Sequence, residues 1–259
     1  MPRTPHVSVV TGAAGGLGTA IVETLLRRGD RVIASDVSEA ALAALGERVT
    51  ASLGDEPARE RLLTVAHDVA DEAGWEELRH RADTTFGAPD VLVNNAGISP
   101  KHDGAKLDGV DIPLDEWNAV LAVNLTGAFL GIRALAPAMQ RGGYGRIVNM
   151  ASLAARNGGR IGGVHYAATK TGLLGLTRSF ARELAACGIT VNAVAPGRID
   201  AGMVAMTSTR FNDDYRASIP VGRLGTAADV ARAVAFLTDA ESGFITGTTT
   251  DVNGGGHMQ

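Results

Sequence analysis

The stretch Thr11-Gly12-Ala13-Ala14-Gly15-Gly16-Leu17-Gly18 decides the fold of this chain. It follows the short apolar run His6–Thr11, which is typical of a buried strand, and it precedes a helical pattern that extends to Arg28. A turn at this place lets backbone N–H groups approach a pyrophosphate, and the following helix presents its positive N-terminus to the same group. A generic loop remains the alternative for the turn alone, but a strand before it and a helix after it are the context that a dinucleotide-binding site requires.

An acidic residue after this turn indicates which dinucleotide binds. Asp36 stands at the end of the second predicted strand, where a carboxylate can hydrogen-bond both hydroxyls of an adenosine ribose and repels a 2′-phosphate. Neither Ala14 nor Val37 is a base that would compensate such a phosphate. The sequence therefore predicts NAD as the cofactor, with a surface aspartate as the alternative. The turn residues expected to contact it are Gly12, Gly15, Gly16, Leu17 and Gly18.

Short apolar runs alternate with helical patterns along the whole chain. The predicted strands are His6–Thr11, Arg31–Ser35, Leu62–Ala66, Val91–Asn94, Arg146–Met150, Thr190–Val194 and Thr248–Val252. The predicted helices are Gly18–Arg28, Glu39–Ser52, Ala73–Phe86, Leu114–Met139, Tyr166–Ala186 and Ala227–Leu237. Strands that are apolar throughout are buried on both faces, so we expect a doubly wound, Rossmann-like α/β fold with a mainly parallel sheet of about seven strands flanked by helices. We expect one domain over residues 1–259, with substrate loops near 98–112, 156–165 and 200–220.

Composition excludes several classes of protein. Hydrophobic residues make up 45% and charged residues 20% of the 259 positions, and the net charge is −4, which does not suit nucleic acid binding through a basic surface. Cys187 is the single cysteine, so an intrachain disulfide is impossible and a reducing, cytoplasmic location is expected. No uninterrupted apolar run approaches the roughly 18 residues of a membrane span, so no membrane contact is expected.

A tyrosine and a lysine four positions apart indicate the chemistry. In a helix, Tyr166 and Lys170 lie on one face. A nearby ammonium favours the phenolate and lowers the tyrosine pKa from about 10, so Tyr166 would exchange a proton with an alcohol as general acid and base. Ser152, after the fifth strand, would hold the substrate oxygen, and Asn124 would hold a water that links Lys170 to solvent. For the Tyr–Lys pair alone, a solvated helix face remains the alternative.

Taken together, these motifs resemble those of the short-chain dehydrogenase/reductase family along essentially the whole chain. The motifs in order are Thr11-Gly12-x-x-x-Gly16-x-Gly18, Asp68-Val69, Asn94-Asn95-Ala96-Gly97, Asn124, Ser152, Tyr166-x-x-x-Lys170 and Pro196-Gly197. The resemblance implies a catalytic tetrad of Asn124, Ser152, Tyr166 and Lys170, and it implies a tetramer. It also implies cofactor contacts by Asp68, Val69, Asn95, Ala96, Gly97, Tyr166, Lys170, Pro196, Gly197 and Ile199.

The chain departs from the family pattern in three places. Ser152 and Tyr166 are fourteen positions apart, one more than is usual, and the extra residue is expected in a bulge between Arg156 and Gly163. The stretch from Gly97 to Trp117 is longer than in typical members, which would enlarge the substrate entrance. Asp200 replaces the threonine that commonly follows the Pro-Gly motif, so the resemblance does not imply the cofactor contact that this threonine makes.

A few charged residues near the predicted site have less specific interpretations. His165 is expected to pack or to lie at a polar surface, and Arg156, Arg160 and Arg198 are expected to be solvated loop charges. A further role for these arginines, binding a substrate carboxylate or phosphate, stays open. His102 and Asp103 lack the other ligands of a metal site, so no metal is expected. Arg198 lies just before the third of the predicted substrate loops, and the other residues of this group lie within the first two.

The function predicted from the sequence is hydride transfer between NAD and the carbinol carbon of a secondary alcohol, with Tyr166 as the proton-transfer residue. The partner is a small alcohol or ketone. One alternative is an NADPH-dependent reductase of 3-oxoacyl thioesters, against which Asp36 argues. Another is a sensor or scaffold that binds a dinucleotide without turnover, against which the complete tetrad argues.

Overall fold

A parallel β-sheet forms the centre of the computed structural model, which describes residues 5–54, 60–159, 161–200 and 215–258. Its strands among the described residues are β1 Val7–Thr11, β2 Arg31–Asp36, β3 Leu62–Ala66, β4 Val91–Asn94, β5 Gly145–Met150, β6 Ile189–Pro196 and β9 Thr249–Val252. Their order is β3-β2-β1-β4-β5-β6-β9, and all neighbouring strands are parallel. A separate parallel pair consists of β7 Ile199–Asp200 and β8 Gly225–Thr226. The predicted doubly wound fold with a seven-stranded parallel sheet is confirmed.

Helices cover both faces of the sheet. They are α1 Gly16–Arg28, α2 Glu39–Leu53, α3 Glu72–Thr85, α4 Leu114–Leu121, α5 Gly127–Gly142, α6 Ala154–Asn157, α7 Val164–Leu184 and α8 Ala227–Leu237. On one face α1, α2 and α8 bury side chains such as Leu25 and Val230 against Val10, and on the other α3, α5 and α7 bury side chains such as Trp75 against Val9. Successive strand residues point to opposite faces, and helices cover both, which is why apolar residues such as Val9 and Val10 occupy adjacent positions of a strand.

The strand order reverses between β1 and β4. From β1 the chain proceeds to β2 and β3 on one side, and it then returns to place β4 on the other side of β1. In open α/β sheets, ligands bind at such a point, outside the carboxyl ends of the strands. The glycine-rich turn follows β1, and Asn95–Gly97 follows β4, so both predicted cofactor segments lie at this crevice.

The predicted helix Leu114–Met139 is not one regular helix. It consists of α4, a π-helical turn over Ala122–Thr126, and α5, which continues to Gly142. The apolar period does not reveal the π turn because the apolar face continues through it. The turn contains Asn124, and π turns inside helices are frequent at functional sites.

The same helical run is long and apolar enough, by length and composition alone, to cross a membrane. Leu114–Gly142 has 29 residues and a mean hydropathy of 1.7 in its most apolar window, which passes a length and composition test for a membrane span. Half of that window is buried inside the fold, and α5 contacts β4 and β5. Core helices of globular proteins have the same properties, so this run does not by itself argue for a membrane. The absence of membrane contact stays a prediction.

The predicted substrate loops differ in how much of them is described. In loop 98–112, a tight turn at Asp103-Gly104 closes a small hairpin, with φ of 49° and 80°. In loop 156–165, Gly158 and Gly159 have φ of 78° and 74°, and Arg160 lies outside the described residues. Of the loop 200–220, residues 201–214 also lie outside them.

Candidate active site

The glycine-rich turn is built so that only glycine fits at two of its positions. A Cβ on Gly12, whose φ is +60°, would lie 2.8 Å from the Cα of Ala96, and one on Gly18 would lie 2.1 Å from the carbonyl oxygen of Gly12. The side-chain amide of Asn95 donates to the carbonyls of Thr11 and Gly12 at 2.9 and 3.0 Å. The segment after β4 therefore holds the turn after β1 in place.

The start of α1 suits an anionic group. Gly15 precedes the first helical residue, and both Gly15 and Gly16 are exposed. The nearest atom to a Cβ built on Gly15 is 3.5 Å away, so the turn leaves open space in front of the helix. Because the first N–H groups of a helix have no intrahelical acceptor and carry partial positive charge, this cradle fits a pyrophosphate. Leu17 instead packs against the core.

Asp36 lies at the same edge of the sheet. Its carboxylate accepts the N–H of Ala14 at 3.1 Å and that of Ser38 at 3.3 Å. Its carbonyl accepts the N–H of His67 at 2.9 Å, which brings the following Asp68 beside the end of β2. Asp68 is exposed, whereas Val69 is buried in the core with Trp75 and Leu130. Their predicted contacts with the adenine stay a prediction.

Lys170 is buried at the centre of the predicted tetrad. Its ammonium donates to the carbonyl of Met150 at 2.7 Å, and burial lowers the pKa of Lys170 to about 8. A Cβ on Gly97 would lie 3.2 Å from the Lys170 Nζ and 3.3 Å from the Asn124 Oδ1. The absence of a side chain at Gly97 therefore keeps open the space between Lys170 and Asn124.

Tyr166 lies on α7 with the Ser152 hydroxyl near enough to its phenol to influence the pKa. Burial raises the pKa of the Tyr166 phenol, and a hydrogen bond from the Ser152 hydroxyl lowers it by a smaller amount. The Lys170 Nζ lies 5.6 Å from the centroid of the Tyr166 ring. The expectation that the lysine charge would lower the tyrosine pKa is therefore wrong for this structure, because burial dominates. The extra residue between Ser152 and Tyr166 does not separate them.

Both polar atoms of the Asn124 side-chain amide form hydrogen bonds with neighbouring segments. Its Oδ1 accepts the N–H of Ile98 at 2.7 Å, and its Nδ2 donates to the Ile98 carbonyl at 2.9 Å and to the Thr169 hydroxyl at 3.2 Å. The buried amide thus ties the start of loop 98–112 to the catalytic helix α7. Its predicted part in a water relay stays a prediction.

The segment after β6 completes the edge of the site. The carbonyl of Pro196 accepts the N–H of Leu153 at 2.9 Å, which places it next to the strand end that bears Ser152. A Cβ on Gly197 would lie 2.9 Å from the Cβ of Asn253. Ile199 pairs with Gly225 in the small β7–β8 ladder.

Two charged groups near the site have partners that the sequence analysis did not identify. Arg156, predicted to be a solvated loop charge, has a nearly buried side chain whose Nη2 lies 3.2 Å from the Oδ2 of Asp251, so that prediction is wrong. Glu116 bonds two histidines, His102 and His165. Each contact joins residues far apart in the sequence, and no local pattern could have indicated it. Among the described residues, no group of three or more His, Cys, Asp and Glu side chains could hold a metal ion.

The fold agrees with that of the proteins to which the chain is similar. A family model described as Enoyl-(Acyl carrier protein) reductase matches residues 12–257. The 3-oxoacyl-[acyl-carrier-protein] reductase FabG of Escherichia coli (strain K12) is 39% identical over 254 residues, and that of Vibrio harveyi is 40% identical over 256 residues; each match covers 97% of both chains. A solved structure of a 3-oxoacyl-[acyl-carrier protein] reductase with bound NAD from Brucella melitensis has a TM-score of 0.89 and 39% identity, covering 99% of this chain and 93% of that one. The chain therefore belongs to the short-chain dehydrogenase/reductase family of nucleotide-dependent oxidoreductases.

Proposed function

We propose that this protein reduces 3-oxoacyl thioesters to 3-hydroxyacyl thioesters with NADH. The substrate class is that of the similar proteins, which are named as 3-oxoacyl-[acyl-carrier-protein] reductases and match over nearly their full length. They favour the thioester alternative over the general alcohol–ketone reaction that the sequence first suggested. The observation that carries the proposal is the buried ammonium of Lys170, 5.6 Å from the Tyr166 ring centroid, with the Ser152 hydroxyl near enough to the phenol to lower its pKa.

In the proposed reaction, the two hydroxyls act on the keto oxygen. When bound, the reduced nicotinamide supplies the hydride that the keto carbon gains. Ser152 donates a hydrogen bond to the oxygen, and Tyr166 transfers its phenolic proton to it. Burial holds the Tyr166 pKa above its ordinary value, so the phenol stays protonated at neutral pH, which is the form that reduction requires. Lys170 holds positive charge beside the phenol as it ionises, and Asn124 keeps the loop end in place.

The choice of NADH over NADPH rests on Asp36. Its carboxylate is fixed by two backbone N–H groups at the end of β2, and the flanking Ala14 and Val37 offer no cation. A 2′-phosphate placed against this carboxylate would meet like charge without compensation. The glycine cradle before α1 would hold the pyrophosphate. The bound NAD in the Brucella melitensis reductase belongs to that protein, and its similarity supports the same choice here.

The test of the proposed function is a comparison of substrates. The NADH absorbance band is followed with an acetoacetyl thioester, a simple cyclic ketone and a polyol-derived ketone at equal concentrations. We expect the thioester to have the highest kcat/KM, by about tenfold or more, because its extended chain adds binding contacts. Turnover of only the ketones, or of free alcohols with NAD, would contradict thioester reduction and favour a dehydrogenase that interconverts general secondary alcohols and ketones. No turnover of any substrate would favour a dinucleotide-binding scaffold.

Assembly and location follow from family membership in the same proposal. We expect a cytoplasmic homotetramer whose interface includes the outer faces of α5 and α7. Phe129 on α5 is 38% exposed, and its ring lies 6.3 Å from that of Phe180 on α7. Light scattering of the purified protein measures the mass, and a monomer would contradict this expectation.

A further inference from the structure

A carboxylate links two histidines next to the catalytic helix. Glu116 lies on the first turn of α4. Its Oε1 is hydrogen-bonded to the Nε2 of His165 at 2.8 Å, and its Oε2 is hydrogen-bonded to the Nε2 of His102 at 2.6 Å. The His165 side chain is 2% exposed, that of Glu116 15% and that of His102 45%. These hydrogen bonds hold the pKa of Glu116 below its usual value although burial opposes them, so the group is a carboxylate. We call this cluster of His102, Glu116 and His165 the carboxylate bridge.

The hydrogen bonds of His165 define its protonation. The backbone N–H of Tyr166 donates to His165 Nδ1 at 2.7 Å. An acceptor nitrogen carries no proton, so in the neutral ring Nε2 carries it and donates to Glu116. The Tyr166 N–H is among the first four of α7, which have no acceptor within the helix, and Gly163 before the helix has no side chain to cap them. His165 therefore caps the backbone of the tyrosine itself.

The other end of the carboxylate bridge lies in the substrate loop 98–112. His102 and Ala105 exchange two backbone hydrogen bonds of 2.8 and 2.9 Å around Asp103-Gly104, the sequence that favours a tight hairpin turn with positive φ. The loop also lies against the segment before Tyr166. The Lys101 ammonium donates to the Ile161 carbonyl, and a Cβ on Gly109 would lie 2.7 Å from the Cγ2 of Val164.

We propose that Glu116 and His165 are positioning residues that couple the substrate loop to Tyr166. Each ring nitrogen of His165 makes a different part of this coupling. Nδ1 fixes the backbone of Tyr166 and so the place of its hydroxyl, whereas Nε2 acts through Glu116 and His102 to hold loop 98–112 over the entrance. Loss of the first contact lowers kcat, and loss of the second raises KM. The kinetic part of this inference rests on the proposed reduction by Tyr166.

Two substitutions of His165 distinguish the effect of the Nδ1 hydrogen bond from that of the Nε2 hydrogen bond. In His165→Asn, the amide oxygen takes the place of Nδ1, but the side chain is too short to reach Glu116. In His165→Gln, the amide N–H takes the place of Nε2 and reaches Glu116, but no acceptor remains beside the Tyr166 N–H. We expect His165→Asn to raise KM about tenfold with kcat nearly unchanged, and His165→Gln to lower kcat about tenfold with KM nearly unchanged. Glu116→Ala should reproduce the result of His165→Asn.

Amide hydrogen exchange provides a second measurement that needs no turnover. His165→Asn and Glu116→Ala should speed exchange at the backbone N–H groups of His102 and Ala105, and His165→Gln should speed it at Tyr166. His80→Asn, at an exposed histidine on α3, is the control and should change neither kinetics nor exchange. Thermal unfolding of each variant checks the fold, and if one His165 variant does not fold, Glu116→Ala and the other variant still decide.

Failures of the two proposals are distinguishable. If thioesters are not reduced but hydrogen exchange changes at His102 and Ala105 in His165→Asn and at Tyr166 in His165→Gln, the structural coupling by the carboxylate bridge is supported and the proposed function is wrong. If thioesters are reduced but the two His165 variants show the same change, or none, in kcat, KM and exchange, the carboxylate bridge does not couple the loop to Tyr166.

Discussion

Tyr166 and Lys170 respond to the same physical cause in opposite directions. Removal from water disfavours the charged form of any group, so burial raises the pKa of the phenol and lowers that of the ammonium, the latter to about 8. Both shifts favour neutral side chains. A protonated phenol is the form that can donate to a keto oxygen, which fits a site that works in the direction of reduction.

The burial of Lys170 predicts how stability depends on pH. The folded pKa of about 8 lies below the ordinary 10.5, so between these values the unfolded chain binds more protons and the free energy of unfolding rises with pH. In Lys170→Met this contribution is absent. From about pH 7.5 to about pH 10, wild type should gain about 2 kcal/mol relative to the variant. Urea unfolding at a series of pH values measures this, and parallel curves for the two proteins would contradict it.

Asp36 predicts the cofactor preference. Asp36→Asn removes the charge while it keeps the size and one acceptor oxygen of the carboxylate, and Asp36→Ser removes the charge and also shortens the side chain. If like-charge repulsion excludes NADPH, both variants should raise the ratio of kcat/KM for NADPH over NADH about tenfold or more, which corresponds to 1.4 kcal/mol or more. The ratio is measured at one fixed ionic strength. An NADPH preference already present in wild type would show that Asp36 does not have this role.

At the scale of elements, the strand–turn–helix of β1 and α1 depends on close backbone contact. A Cβ on Gly18 would lie 2.1 Å from a backbone oxygen that cannot move away, whereas the nearest atom to one on Gly15 is 3.5 Å away. Gly18→Ala should therefore lower the free energy of unfolding by about 3 kcal/mol. Gly15→Ala is the matched control and should cost less than about 1 kcal/mol, since it only weakens the helix cap. If denaturant unfolding shows the same loss in the free energy of unfolding for both variants, close packing against Gly18 is not what stabilises the turn.

The elements also show why some features follow from the sequence and others do not. The glycine-rich turn, the apolar strands and the Tyr166–Lys170 spacing are local, so the fold and the grouping of the candidate site could be predicted. The π turn could not, because the apolar pattern continues through it, and the hydrogen bonds of Asn124 to Ile98 and Thr169 join it to other segments. The direction of the Tyr166 pKa was missed for a similar reason, since burial is set by the whole fold.

At the scale of the whole molecule, the site lies where the sheet reverses its order. Strand ends on both sides of β1 bring the cradle before α1, Asp36 and the segment after β4 to one crevice, and β5 and α7 add Ser152, Tyr166 and Lys170. This arrangement depends on topology, which the alternation of strands and helices implies. The contacts of Glu116 with His102 and His165, 14 and 49 positions away, appear only once the chain has folded.

The central claim is that Tyr166 donates the proton when this molecule reduces a 3-oxoacyl thioester. The most direct measurement is the loss of NADH absorbance with an acetoacetyl thioester in wild type and in Tyr166→Phe, with NADH binding measured separately by fluorescence. We expect turnover in the variant to fall about a hundredfold or more while NADH affinity stays within about twofold, because only the acid is removed. Turnover of the variant within about tenfold of wild type would contradict the account, since general acid catalysis contributes at least about a hundredfold.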